Sequence, residues 1–139
     1  MNLLNIDFDG VLVPNRYEDE LIKKARDFFQ VSNGCDSIWD WYAKSIYTNP
    51  LLPINEVFLR FLSELENVEL RLWTNRNSDL KKRTLENLGP FKSLFNSFSF
   101  YSGKKKYSKV EGVVIDNNPE YLHCGEFGGL LYKFNKEVI

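Results

Sequence analysis

Short apolar runs recur along this chain, separated by amphipathic segments and turns, and that alternation restricts it to few architectures. The runs are the opening one, which ends at Asp7 and Asp9, then Val68 to Trp73, Ser97 to Tyr101, Gly112 to Ile115 and Gly129 to Phe134. Strands divided by helical segments predict an α/β fold with a mainly parallel five-stranded sheet and helices on both faces. In such a sheet, ligands gather beyond the carboxyl ends of the strands, near the point where the strand order reverses. A length of 139 residues suffices for one core, and no linker, repeat or low-complexity tract divides it. A single domain over residues 1–139 is expected.

The segments between the strands carry helical signals. Tyr17 to Phe29 places Leu21, Ile22, Ala25, Phe28 and Phe29 on one stripe, with Glu18, Asp19 and Glu20 in the first turn, where the helix dipole favours acids. A more aromatic segment runs from Asp36 to Tyr47, and Asn49, Pro50 and Pro53 break the chain after it. The spacing of Trp39, Trp41, Tyr42 and Tyr47 suits a core-facing helix, whereas an exposed aromatic there would stack on a nucleobase. Ile54 to Leu65 predicts a third helix burying Val57, Phe58, Phe61, Leu62 and Leu65. Residues 17–66 therefore read as a helical insertion ahead of the second strand. Beyond that strand, Asn77 or Ser78 caps a helix to Leu88, and Gly89-Pro90 stops it.

Composition closes off several functions. Hydrophobic residues make up 43% and aromatics 15%, which predicts a globular rather than a disordered chain. A net charge of −1 with interspersed signs predicts no general affinity for nucleic acid or membrane. No apolar run can span a bilayer, and no basic segment leading a long apolar stretch opens the sequence, so a cytoplasmic setting is expected. Cys35 and Cys124 lack metal-ligand spacing and His123 is the single histidine, which argues against zinc and suits a reducing compartment. Ser-His-Asp or Cys-His catalysis would rest on His123 alone.

Polar residues collect at the strand ends. Asp7 and Asp9 end the first, Thr74 and Asn75 the second, Asp116 and Asn117 the fourth, and Lys104 to Lys106 follow the third. A parallel sheet brings all of them to one edge. Singly, each has an ordinary reading: Asp7-Phe8-Asp9-Gly10 as a solvated strand end entering a turn, Asp116 to Pro119 as an Asx turn, Thr74 as a helix cap, and Arg76 as a solvated charge, although Arg76 could also reach a substrate phosphate. Asn75 and Asn117 suit turns equally well. Together they fit phosphate chemistry. Two like charges at the end of a buried strand need a cation, a shared proton or solvent. Carboxylates, carbonyls and water are what Mg²⁺ takes, usually with a substrate phosphate. The Thr74 hydroxyl and a lysine ammonium suit phosphoryl oxygens. In that setting Asp7 can attack phosphorus, and Asp9 can protonate the leaving oxygen and then deprotonate the hydrolytic water.

In this order the motifs resemble those of the haloacid dehalogenase-like phosphohydrolases. Ile6-Asp7-Phe8-Asp9-Gly10-Val11-Leu12 is similar to that family's opening motif, a hydrophobic strand ending Asp-x-Asp-Gly. Leu70-Arg71-Leu72-Trp73-Thr74-Asn75 is similar to its second, a lysine to its third, and Val113-Val114-Ile115-Asp116-Asn117 to its fourth, so the resemblance covers residues 3–122. It implies a three-layer Rossmann-like fold with a small or minimal cap. It also implies Asp7 as nucleophile, Asp9 as general acid/base, and Mg²⁺ held by Asp7, the Asp9 carbonyl and Asp116. Thr74, Asn75 and Lys106 would hold the phosphate. Lys106 stands ten residues before Asp116, the spacing of deoxyribonucleotidase-like members, and Lys104, Lys105 and Lys109 remain alternatives. Asn117 departs from the second acid of many members. The Asp-Asn-x-Pro form instead looks like the small C-terminal-domain phosphatases, with Glu120 available as an outer acid.

The resemblance implies a Mg²⁺-dependent phosphatase for a small-molecule or macromolecular phosphomonoester, such as a nucleotide or a phosphorylated macromolecular end. Its rival is a catalytically silent module of the same fold that binds a phosphorylated ligand or partner protein. A response-regulator receiver domain shares the Asp, Thr, Lys and Mg²⁺ set, but its phosphorylated Asp ends a later strand. Here the third strand carries no terminal Asp.

Overall fold

The computed structural model describes residues 2–14, 51–101 and 109–134. The helix expected over Tyr17 to Phe29, the aromatic segment Asp36 to Tyr47, Cys35, Lys104, Lys105 and Lys106 lie outside these residues. The described elements are β1 (Asn2–Ile6), α1 (Glu56–Glu64), β2 (Val68–Thr74), α2 (Lys81–Leu88), β3 (Ser97–Phe100), β4 (Val113–Asp116) and β5 (Gly129–Leu131). They form a five-stranded sheet in the order β3-β2-β1-β4-β5. Every neighbouring pair is parallel. This is the α/β, Rossmann-like arrangement that the alternation predicts. From β1 the chain steps outward to β2 and β3, then crosses to the other side for β4 and β5. The order therefore reverses between β1 and β4, where ligand crevices form in such sheets.

Successive strand residues face opposite sides of the sheet, and the two faces carry separate apolar clusters. Ile6, Leu70, Leu72 and Ile115 pack with Leu59 and Leu62 of α1 and Leu88 of α2 on one side. Trp73, Val114 and Cys124 pack together in a second cluster. Burying each of these large side chains contributes about 1.5–3 kcal/mol. Among the described residues no helix is long and apolar enough to cross a membrane.

α1 starts at Asn55, whose side chain accepts from the Phe58 amide as an N-cap. Its buried residues are Leu59 and Leu62, while Phe58 and Leu65 pack at the margin of the core. Val57 and Phe61, expected inside, are 83% and 54% exposed. The stripe that faces the sheet follows positions 55, 58, 59, 62 and 65; Val57 and Phe61 lie one residue step off it. Asn77 caps the segment after β2 by accepting from the Asp79 amide, but its first turn is a 3₁₀ helix, Ser78–Leu80, before α2 begins. Gly89, at φ +58°, closes α2, and the chain continues as a second 3₁₀ segment, Gly89–Leu94, with Pro90 near its start. β5 ends at Leu131, short of the expected Phe134.

Candidate active site

The segment after β1 is a closed loop folded around one carbonyl. The amides of Val11, Leu12 and Val13 all point to the Phe8 oxygen, and the Gly10 amide donates to Val13 O at 2.8 Å. Phe8, Val11, Leu12 and Val13 are fully buried, so the loop is part of the core rather than a solvated turn. Asn55 fastens it from outside, its backbone amide donating to Leu12 O (2.8 Å) and its side chain to Val11 O (3.2 Å). Asp7 prolongs the ladder, donating from its backbone to Ile115 O at 3.0 Å. Its side chain consequently emerges beside that of Asp116 at the reversal between β1 and β4.

Both carboxylates are buried, Asp7 at 6% and Asp116 at 1% exposure. Asp116 Oδ1 accepts the Asn118 amide at 2.8 Å, and the Asp116 carbonyl accepts from Tyr132 at 3.0 Å. The Asx turn expected before Pro119 is therefore present, and it fixes the carboxylate.

Asn117 occupies the centre of the cluster. One terminal atom of its amide lies 2.9 Å from Asp7 Oδ2, 3.0 Å from the Asp9 carbonyl oxygen and 3.2 Å from Asp116 Oδ1. As nitrogen it donates to these oxygens, but an NH₂ offers two hydrogens to three acceptors. Gly10 permits this approach: a Cβ there would overlap the Asn117 amide, and its φ of +92° suits glycine.

These oxygens fit Mg²⁺. The set is hard and anionic, two carboxylates and a carbonyl gathered around the Asn117 amide, whose place a bound ion would take. Among the described residues no group of three His, Cys, Asp or Glu side chains forms a metal centre. The candidate set instead reaches three oxygens through a main-chain carbonyl. Asp9 contributes that carbonyl and turns its carboxylate elsewhere.

The carboxylate of Asp9 meets Arg76 in a two-pronged ion pair. Arg76 Nε donates to Oδ2 and Nη2 to Oδ1, each at 2.8 Å. Arg76 Nη1 donates to Thr84 Oγ1 at 3.0 Å, and the Arg76 Cζ stands 4.4 Å from the centre of the Phe8 ring. The side chain of Arg76 is 3% exposed and that of Asp9 20%. Arg76 is thus a buried partner of the site, not the solvated charge its neighbourhood suggests. What hides the pairing in the sequence is distance along the chain, for Asp9 and Arg76 are 67 residues apart.

At the end of β2, Thr74 is buried and its Oγ1 accepts the Arg76 amide at 3.1 Å, which leaves the hydroxyl proton to donate. Asn75 donates from its side chain to the Tyr121 hydroxyl at 2.6 Å. Tyr121 stands edge-on to Trp73, ring centres 6.1 Å apart. Asn75 is therefore tied towards the loop after β4.

Lys109, an alternative to Lys106, donates from its ammonium to the His123 carbonyl. Lys106, the first choice for the phosphate-binding lysine, lies outside the described residues. His123 is exposed and Cys124 is buried.

No protein-family model, curated protein sequence or solved structure matches this chain.

Proposed function

We propose that the protein is a Mg²⁺-dependent phosphatase of the haloacid dehalogenase-like type, hydrolysing a phosphomonoester through an aspartyl-phosphate on Asp7. The observation that carries this reading is the gathering of Asp7 Oδ2, the Asp9 carbonyl and Asp116 Oδ1 around the Asn117 amide at the strand-order reversal. Buried carboxylates this close to one another are stabilised by a cation between them. Asp7, the Asp9 carbonyl and Asp116 would hold the Mg²⁺, with Asn117 beside them. Bound there, the ion supplies positive charge opposite phosphoryl oxygens.

The chain's own groups carry the rest. Asp7, anchored at the end of β1, attacks phosphorus with a carboxylate oxygen as the ester P–O bond breaks. Asp9 gives its proton to the departing alcohol oxygen. Asp9, now a carboxylate, takes a proton from water as the water oxygen bonds to phosphorus and Asp7 departs. Thr74 donates its hydroxyl proton to a phosphoryl oxygen, and Asn75 and Lys106 complete the phosphate contacts. Small-molecule esters and phosphorylated macromolecular ends are both accommodated by this chemistry.

The silent-module reading draws on one observation, that both Asp9 oxygens are engaged by Arg76. A phosphatase screen over nucleotides, sugar phosphates and phosphopeptides separates the two. The expected result is turnover that stops with EDTA and in Asp7→Asn. Binding of phosphorylated ligands without turnover of any ester would establish the module instead.

A further inference from the structure

One buried charged group has no part in that sequence of steps. Arg76 is enclosed on every side the structure describes. Nε and Nη2 hold the two Asp9 oxygens, Nη1 holds Thr84 Oγ1, and the Phe8 ring lies against the guanidinium plane. Thr84 is itself fixed, its hydroxyl donating to Leu80 O at 2.8 Å across the turn that opens α2. The Arg76 backbone amide is held by Thr74 Oγ1, so the same residue is registered against the phosphate side of the site. At 3% exposure the guanidinium is closed to a substrate phosphate.

A planar fork on a carboxylate fixes both its plane and its rotation. Each carboxylate oxygen has two lone pairs, and the fork takes one from each. The fork leaves an outer edge of the carboxylate, and the Asp9 side chain as a whole is 20% exposed. We infer that Arg76 is a positioning residue. It sets the Asp9 carboxylate so that this outer edge meets the leaving-group oxygen, and Thr84 and Phe8 hold the guanidinium in place. The inference rests on the phosphatase reading and adds to it the group that aims the proton donor.

The test compares an ester whose leaving group needs a proton, glycerol 2-phosphate, with one whose leaving group does not, 4-nitrophenyl phosphate. The quantity is kcat/KM, which covers steps only through release of the alcohol. Arg76→Lys keeps the charge and loses the fork. It is expected to lose about 10²-fold on glycerol 2-phosphate and less than about 10-fold on 4-nitrophenyl phosphate. Thr84→Val, which removes the Nη1 acceptor together with the hydroxyl bond to Leu80 O, shifts the same ratio in the same direction by less, and it carries the readout if Arg76→Lys does not fold. In Asp9→Asn, adding Arg76→Lys changes the ratio no further. Equal losses on both esters mean a structural role alone and overturn the inference while leaving the phosphatase intact. A wild-type protein active only on the aryl ester overturns it too. A wild-type protein inert towards both removes the phosphatase reading and the inference with it.

Discussion

The two sides of the site are built on opposite principles. On the β1–β4 side, acceptors crowd together: two carboxylates and a carbonyl share one amide atom. On the β2 side, Arg76 is tied to acceptors, each side-chain nitrogen meeting one oxygen and the Thr74 hydroxyl taking its amide. A cation would offset the crowding on the first side, whereas removing one partner on the second would leave the other charge buried and uncompensated. One residue spans both, since Asp9 gives its carbonyl to the first side and its carboxylate to the second.

Substitutions should expose that contrast. The largest effect is expected at Asp7, where Asn removes the attacking oxygen. Steady-state turnover of an aryl phosphate should fall by on the order of 10⁴-fold or more. Residual activity within tenfold of wild type would place the nucleophile elsewhere. Next comes Arg76→Met, which strands the partly buried Asp9 carboxylate. Chemical denaturation should show a loss of about 3 kcal/mol. Asp116→Asn on the acceptor side keeps an oxygen for the Asn118 amide. Without Mg²⁺ it should cost less than about 1 kcal/mol or stabilise the fold, because it relieves like-charge crowding. If the two substitutions destabilise equally, the contrast fails.

Mg²⁺ itself should distinguish the sides. At a hundred times its dissociation constant it should stabilise the wild type by about 2.7 kcal/mol, read as a rise in Tm reversed by EDTA. Asp116→Asn should lose most of that rise, while Thr84→Val should retain it. A smaller effect belongs to Gly10→Ala. Its positive φ and overlap with Asn117 should cost about 1–3 kcal/mol and reduce the Mg²⁺-dependent rise in Tm. An unchanged rise would mean that Asn117 has no part in holding the cation.

Much of this was legible because strand alternation and strand ends are local patterns. The opening run up to Asp7, the Val68 to Trp73 run before Thr74, and the Gly112 to Ile115 run before Asp116 are strands in parallel register at adjacent positions. That register brings Asp7 and Asp116 together. The burial of Arg76 was not legible, because it depends on Asp9 sixty-seven residues earlier and on Thr84 eight residues later. Nothing near Arg76 in sequence distinguishes it from a solvated charge. The face of α1 was misjudged for a related reason. Its apolar residues occupy two adjoining stripes, and only the approach of the sheet decides that Leu59 goes inside and Val57 does not. Asn117 had two equal readings, turn former or site residue, and its place among three oxygens follows from how the β1 loop passes over it at Gly10.

The central claim is that Asp7 forms a covalent bond to phosphorus. Acid-quenching the protein during Mg²⁺-dependent turnover of 4-nitrophenyl phosphate, followed by peptide mapping by mass spectrometry, tests it most directly. A single phosphoryl group on Asp7, missing in Asp7→Asn, is the predicted result. Turnover with the phosphoryl group on another residue would contradict the account.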